Sequence, residues 1–187
     1  MRDFFLLFDL PRRPVIDLSN LNEAFARKNS GNQAKQPDDP VVLNEAFRIL
    51  ADPVRRLDHL LALESANLSG RVISPEVEQW FGRVADVLHR FDQIYYQFTQ
   101  ESLHLLKAAK LQLLQDNLAM IEELSVGLNS LHKSLSQQLK DIDAAWPSNR
   151  SEALPRLAQL AFNLSFTQKW VNELRERKLR FDELAYE

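Results

Sequence analysis

Residues 111–142 have the sequence LQLLQDNLAMIEELSVGLNSLHKSLSQQLKDI, and this stretch decides the fold class. Apolar residues recur in it at intervals of three and four, which is the period of a helix with one buried face. The stripe consists of Leu114, Leu118, Ile121, Leu128, Leu135, Leu139 and Ile142, with Ser125 and His132 interrupting it. Because heptad-like spacing is also typical of a coiled coil, self-association through this stripe is one hypothesis.

The helical pattern continues on both sides of this stretch. Upstream, Ser74-Pro75 predicts a helix start with a capping serine and proline at the first position. The pattern then runs almost unbroken to Ala145, with Gly82 and Gly127 as expected weak points and a break expected within residues 95–102. Downstream, residues 146–149 predict a turn before a last helix from about Ser151. No segment alternates with period two, so the sequence predicts an all-α fold.

The first 64 residues predict four short helices. They lie at residues 3–9, after a cap at Asp17 or Ser19, around residues 43–50, and from Asp52-Pro53. Residues 30–40 form a polar loop, and residues 65–73 are a linker. The predicted division is therefore a small helical head at 1–64, the linker at 65–73, and a C-terminal helical bundle at 74–187.

Composition excludes several classes of function. The chain has 187 residues, 45% of them hydrophobic, and a formal net charge of −3, so nothing predicts nucleic acid or an anionic membrane as partner. The absence of cysteine rules out disulfides, thiolate metal sites and cysteine nucleophiles. The apolar run Phe4–Phe8 is too short for a signal peptide, and no apolar stretch reaches ~18 residues. We therefore expect a soluble protein of the cytoplasm.

No catalytic or metal-binding pattern is visible in the sequence. The four histidines, at positions 59, 89, 104 and 132, have no spacing typical of a metal site. Glu122, Glu123 and Asp92 lack a partner arrangement for acid–base chemistry. A phosphate-binding glycine loop and a nucleophile elbow are also absent. The sequence thus indicates a protein that is not an enzyme and needs no cofactor.

Four motifs in the head resemble the J-domain of HscB-type iron–sulfur co-chaperones. They are the opening DFFLLFDLP, the segment from Ile16 to Phe25, the run LNEAFRIL at 43–50, and DPVRRLDHLLALES at 52–65, where His59 stands at the family's tyrosine position. The final stretch, from Asp143 to the end of the last helix, also resembles the end of the HscB C-terminal domain. The resemblance implies a J-domain-like head and a C-terminal bundle in the L-shaped arrangement of that family.

In that family a His-Pro-Asp loop stimulates the ATPase of a DnaK- or HscA-type chaperone, and the C-terminal bundle binds the scaffold protein IscU. This chain departs from the family at the loop. Ungapped counting places Gln33-Ala34-Lys35 there, and a shift of three places Gln36-Pro37-Asp38 there. No histidine precedes His59, so neither alignment restores the motif. Arg27 and Lys28 are the only basic residues of the helix that normally faces the ATPase.

The helix beginning after Ser74 aligns with the scaffold-binding helix of the family. The residues predicted to contact a partner are Trp80, Phe81, Val84 and Leu88, because large aromatic residues are favoured at protein interfaces. Burial of the same residues against the last helix is the alternative. The family's glutamates are missing, and Asp86 is the lone acid nearby.

Two functions follow from this sequence. The first is a divergent HscB-like co-chaperone or adaptor that binds a protein partner, an IscU-like scaffold or a DnaK/HscA-type chaperone, and does not stimulate ATP hydrolysis. The alternative is a self-associating helical scaffold protein with a J-like remnant and no chaperone role.

Overall fold

The computed structural model describes residues 1–30 and 39–184. Eight helices occur in these ranges: α1 Phe4–Leu7, α2 Leu18–Asn29, α3 Pro40–Ala51, α4 Pro53–Leu63, α5 Pro75–Glu78, α6 Trp80–Thr99, α7 His104–Ala145 and α8 Arg150–Glu183. The same ranges contain no strand, so the predicted all-α fold is confirmed. None of the helices described is both long and apolar enough to cross a membrane.

Short-range capping explains where several helices begin. Asp17 accepts a hydrogen bond from the Ser19 N–H at 2.8 Å, and Asp52 accepts one from the Arg55 N–H at 2.9 Å. Each aspartate satisfies a backbone N–H that the first helical turn leaves unpaired. Ser74 differs from the prediction, because its hydroxyl makes no capping bond and is buried without a hydrogen-bond partner.

The breaks between the long helices agree with the sequence in two places and differ in one. The chain leaves the helix between Thr99 and His104 and again between Ala145 and Arg150, as predicted. The helix that starts after Ser74 is only four residues long, and α6 begins separately at Trp80. Gly82 and Gly127, which were expected to weaken the pattern, both lie inside continuous helices.

The contacts divide the chain into two compact units. The first contains residues 1–72 and 135–162, and the second contains residues 73–134 and 163–187, each within its described part. The predicted division differs from this one because it assigns residues 135–162 to the C-terminal bundle. The two longest helices, α7 and α8, contribute residues to both units.

Side chains at the end of α7 and directly after it fix the start of the chain within the first unit. Asp143 forms an ion pair with Arg13 at 2.6 Å and accepts the Val15 N–H at 3.0 Å. The indole N–H of Trp146, which is 1% exposed, donates to the Arg12 carbonyl at 2.9 Å. These bonds join residues more than 120 positions apart, which is why residues 135–162 belong to the first unit.

Besides the short α5, three long helices pack in the second unit. Arg83 and Arg90 of α6 contact Glu123 and Met120 of α7, so these two helices run antiparallel. Phe81 of α6 contacts Phe166 of α8, and Asp92 of α6 contacts Arg177 of α8. Because the two pairs follow the same order along both helices, α6 and α8 run parallel.

The apolar stripe of residues 111–142 is buried within the chain itself. Leu114, Ile121 and Leu128 are in the core of the second unit, and Leu135, Leu139 and Ile142 are in the core of the first. Of the two residues that interrupt the stripe, Ser125 donates a hydrogen bond from its hydroxyl to the Ile121 carbonyl, one turn earlier. The stripe therefore has its packing partners in one chain, so its periodicity does not require a second copy.

Candidate functional site

Two of the four predicted partner-contact residues are in the core of the second unit. Val84 is 1% exposed and Leu88 is 9% exposed. A side chain this buried cannot reach a partner while the bundle is folded, because α6 turns this face toward its neighbouring helices. These two side chains are therefore unavailable for direct contact with a partner.

Phe81 is part of an aromatic cluster between α6 and α8. Its ring lies edge-on to Trp170, with centroids 4.7 Å apart, and its centroid is 5.2 Å from that of Phe166. Edge-to-face pairs of this kind add stabilisation beyond the area that they bury. Phe81 is half-buried, so it belongs chiefly to the α6–α8 packing that was the alternative interpretation.

Trp80 has a different environment, because it packs on α7, whereas Phe81 packs on α8. Its indole ring packs on Gly127 of α7, where an added Cβ would lie 3.1 Å from Cζ3 and closer still to Cη2. The guanidinium carbon of Arg83 lies 5.0 Å from the centroid of the same ring. The ring is thus held between a helix backbone and a cation, and it remains partly exposed.

A groove of about 240 Å³ lies between α6 and α7, and Arg83, which contacts the Trp80 ring, is one of its lining residues. Its lining residues are Arg83, Asp86, Val87, Arg90, Met120, Glu123 and Leu124. Val87 and Leu124 are buried at its base, whereas Met120 is 40% exposed on its wall. An apolar base with charged rims is the usual anatomy of a surface that binds another protein.

The charged rim of the groove is balanced. Arg83 lies 3.5 Å from Glu123, and the side chains of both are mostly exposed. Such a pair contributes little to stability and can exchange for charges on a partner. The groove therefore presents two cations and two carboxylates around one apolar centre.

A bidentate ion pair joins α8 to α6 in the second unit. Arg177 of α8 donates to Asp92 of α6 through two nitrogens, at 2.9 and 3.2 Å. The hydrogen bond to Asp92 is the main cause that raises the pKa of Arg177 above its usual value. Lys178 pairs with Glu122 at 2.7 Å. The basic end of the last helix is thus used largely for packing against its neighbours.

The loop in which the family has its His-Pro-Asp motif lies outside the described residues, so Gln33, Ala34, Lys35, Gln36, Pro37 and Asp38 remain sequence predictions. The helix before it is described. Its two basic residues, Arg27 and Lys28, lie 4.0 and 3.7 Å from the carboxylate of Asp9. Asp9 adopts a positive φ of 57°, which is uncommon for a residue with a side chain.

The histidines have separate environments. His132 Nδ1 is hydrogen-bonded to the Thr167 hydroxyl at 3.1 Å, and that hydroxyl also lies 3.1 Å from the Leu164 carbonyl. Burial lowers the pKa of His132. His89 and His104 are exposed. Within residues 1–30 and 39–184, no three acidic or histidine side chains come together in a way that could hold a metal ion.

Comparison with known proteins identifies the fold. No family model and no curated protein sequence matches the chain. Among solved structures, it is similar to the chaperone HscB from Vibrio cholerae, with a TM-score of 0.58 and 17% identity, covering 96% of this chain and 99% of that one. It is also similar to the human co-chaperone protein HscB, with a TM-score of 0.55 and 13% identity, covering 96% and 84%. The chain therefore has an HscB-type fold.

Two residues of this region have no binding role predicted from the sequence: Gly127, against which Trp80 packs, and Met120, which lines the groove. The sequence marks Gly127 only as a weak point of a helix, and Met120 lies outside the apolar stripe. A signal was present, since a glycine inside a long helix costs about 1 kcal/mol relative to alanine and usually has a packing reason. The partner of that glycine, 47 positions earlier in the chain, could not be inferred from spacing.

Proposed function

We propose that the chain is an adaptor of the co-chaperone type, which acts by binding a protein partner in the cytoplasm and not by catalysis. The observation that supports this most is the HscB-type fold, which extends over 96% of the chain. Both solved relatives are described as chaperones or co-chaperones. A fold alone does not define a function, so the proposal also depends on a surface suited to docking.

That surface is the groove between α6 and α7 together with the exposed part of Trp80. Trp80 and Arg83 are residue types that dominate binding energy at protein interfaces. Met120 adds a flexible apolar contact that adapts to different partners. The candidate partners are an IscU-like scaffold protein and a DnaK- or HscA-type chaperone.

We expect Trp80→Ala to weaken binding of a purified IscU-like scaffold by about 2 kcal/mol, roughly thirtyfold in Kd, because it removes a central aromatic anchor. Isothermal titration calorimetry measures this directly. Tyr96→Ala is the matched control, since Tyr96 is a 67% exposed aromatic residue of the same helix that lies beyond Arg90, whereas Trp80 contacts the lining residue Arg83. Equal losses in both variants, or no loss in Trp80→Ala at retained helicity, would argue against this docking surface.

We further propose that the head does not stimulate ATP hydrolysis. No histidine precedes His59, and the two basic residues of α2 lie beside the carboxylate of Asp9, which reduces the positive field that they present. In single-turnover assays with a DnaK- or HscA-type chaperone, the rate of hydrolysis should stay within about twofold of the basal rate, because a head without these contacts has no preference for one state of the chaperone and cannot shift it. A clear acceleration would refute the proposed loss of stimulation and leave the docking surface untouched.

Self-association remains the alternative function, but the stripe that suggested it is buried within the chain. An oligomer would have to use other residues, such as Leu105 and Leu113, which are 84% and 52% exposed on α7. Light scattering at high protein concentration separates the two functions, because an adaptor without self-association remains a monomer.

A further inference from the structure

His59 completes the start of helix α1 from a distant part of the chain. The first turn of a helix leaves its backbone N–H groups without partners. The Asp3 carboxylate accepts two of them, from Phe5 at 3.0 Å and Leu6 at 3.2 Å. The third, the Phe4 N–H, donates to Nε2 of His59 at 3.1 Å, across 55 positions of sequence.

The imidazole ring of His59 also forms part of the surface on which α1 packs, beside the contacts of α1 with α3. Its centroid lies 4.7 Å from that of Phe4 and 5.8 Å from that of Phe5, with interplanar angles of 22° and 16°. His59 is 7% exposed and Phe5 is fully buried. The α1 helix has only four residues, too few for stability without such tertiary contacts.

The hydrogen bond defines the protonation state of the closed arrangement. Nε2 accepts from a backbone N–H, so it carries no proton and the ring is the neutral tautomer with the proton on Nδ1. Addition of a proton to Nε2 would place two N–H donors against each other. The Phe4 N–H would then lose its acceptor inside a largely buried site, which is unfavourable.

Two charged groups face His59 from the elements packed against it. Asp3 lies at the start of α1, and Arg12 lies in the segment after it; these two pair with each other at 2.7 Å. Burial is the largest effect and lowers the pKa of His59, Asp3 raises it, and Arg12 lowers it. Because the two charges form a pair, their opposite effects partly cancel and burial determines the direction.

We propose that His59 and α1 form a pH-sensitive latch, in which the neutral imidazole holds α1 against α4 and protonation of Nε2 releases it. Opening would expose Phe5 and the surface that it covers. The Trp146 bond to the Arg12 carbonyl, which also holds this segment, is made by an indole N–H that is a donor only. The latch is independent of the proposed partner and of its groove.

The direction of the pH effect follows from proton linkage. The pKa of His59 is lower in the closed state than in the open state, so the open state binds more protons between the two values. The stabilisation of α1 is therefore complete above the unfolded pKa of about 6.5 and is lost as the pH falls toward the lower folded pKa. The opening equilibrium should increase up to tenfold for each unit that separates the two values.

Amide hydrogen exchange of the full chain, read by NMR between pH 7.5 and pH 5 and corrected for intrinsic exchange rates, tests the latch. We expect the protection of the Phe4 amide to fall as the pH drops below about 6.5, and to keep falling until the His59 ring is protonated. In His59→Gln, whose amide oxygen can accept the same bond without titrating, this protection should be independent of pH.

His132→Gln is the matched control, since His132 is also a partly buried histidine with a lowered pKa but lies in the second unit. It should leave the fall in protection at Phe4 unchanged. Protection of Phe4 that persists through the His59 titration in the native chain would overturn the proposal, whether or not His59→Gln folds. So would a pH dependence at Phe4 that survives in a folded His59→Gln variant.

Discussion

Arg56→Ala is expected to lower the free energy of unfolding of the first unit by about 3 kcal/mol, because it removes hydrogen bonds from a buried guanidinium. Arg56 is 5% exposed, and it donates to the Leu50 carbonyl at 2.7 Å and to the Pro14 carbonyl at 3.0 Å. These bonds join α4 to the end of α3 and to the segment before α2. Without the guanidinium, both carbonyls lose their donor in a buried site.

The neighbouring arginine provides a matched control. Arg55 precedes Arg56 on α4 and is exposed, so Arg55→Ala should change stability by no more than about 0.5 kcal/mol. Urea denaturation followed by circular dichroism measures both variants. Arg56→Lys should be intermediate, because an ammonium group keeps the charge and lacks the planar fork that reaches two carbonyls. Equal stability of the two alanine variants would contradict a structural role for Arg56.

Gly127→Ala is expected to destabilise the second unit by about 1–3 kcal/mol, the usual cost of overpacking a core. The new methyl group would lie against the Trp80 ring, 3.1 Å from Cζ3 and 3.2 Å from Cζ2. The Trp80 ring therefore has to move away from α7. It then leaves the position in which we propose that it contacts a partner. Tryptophan fluorescence and urea denaturation report the displacement and its energetic consequence.

Gly82→Ala is the control for helix propensity. Nothing lies within 4 Å of a Cβ added at Gly82, so this substitution should stabilise α6 by up to about 1 kcal/mol. A double-mutant cycle sharpens the test: in a Trp80→Ala background, Gly127→Ala should no longer destabilise, because the clash has been removed. If Gly127→Ala stabilises the native chain as Gly82→Ala does, the close packing of Trp80 on α7 is refuted.

The buried and exposed residues of α6 show how far a helical pattern can predict a binding site. Trp80, Phe81, Val84 and Leu88 share a side of the helix by their spacing, and the pattern could not distinguish a core from a docking surface. The structure buries Val84 and Leu88, places Phe81 between α6 and α8, and leaves Trp80 partly exposed on α7. Position on the helix is local information, whereas exposure depends on which helices pack there.

The sequence by itself determined the all-helical fold, the helix breaks near residues 100 and 147, and the cap at Asp52. It left Asp17 and Ser19 as alternative caps for α2, and the structure selects Asp17. These features depend on residues within a turn or two of one another, so their period and chemistry are visible along the chain. The absence of a histidine before His59 is likewise a property of the sequence alone.

Only the tertiary structure decided which distant residues meet. It placed residues 135–162 in the first unit, Trp80 on Gly127, and His59 at the start of α1. The physical reason is the same in each case. A glycine that admits a ring, or an imidazole that accepts an N–H, has its role set by a partner that is 47 or 55 positions away, and helical periodicity contains no information about that partner.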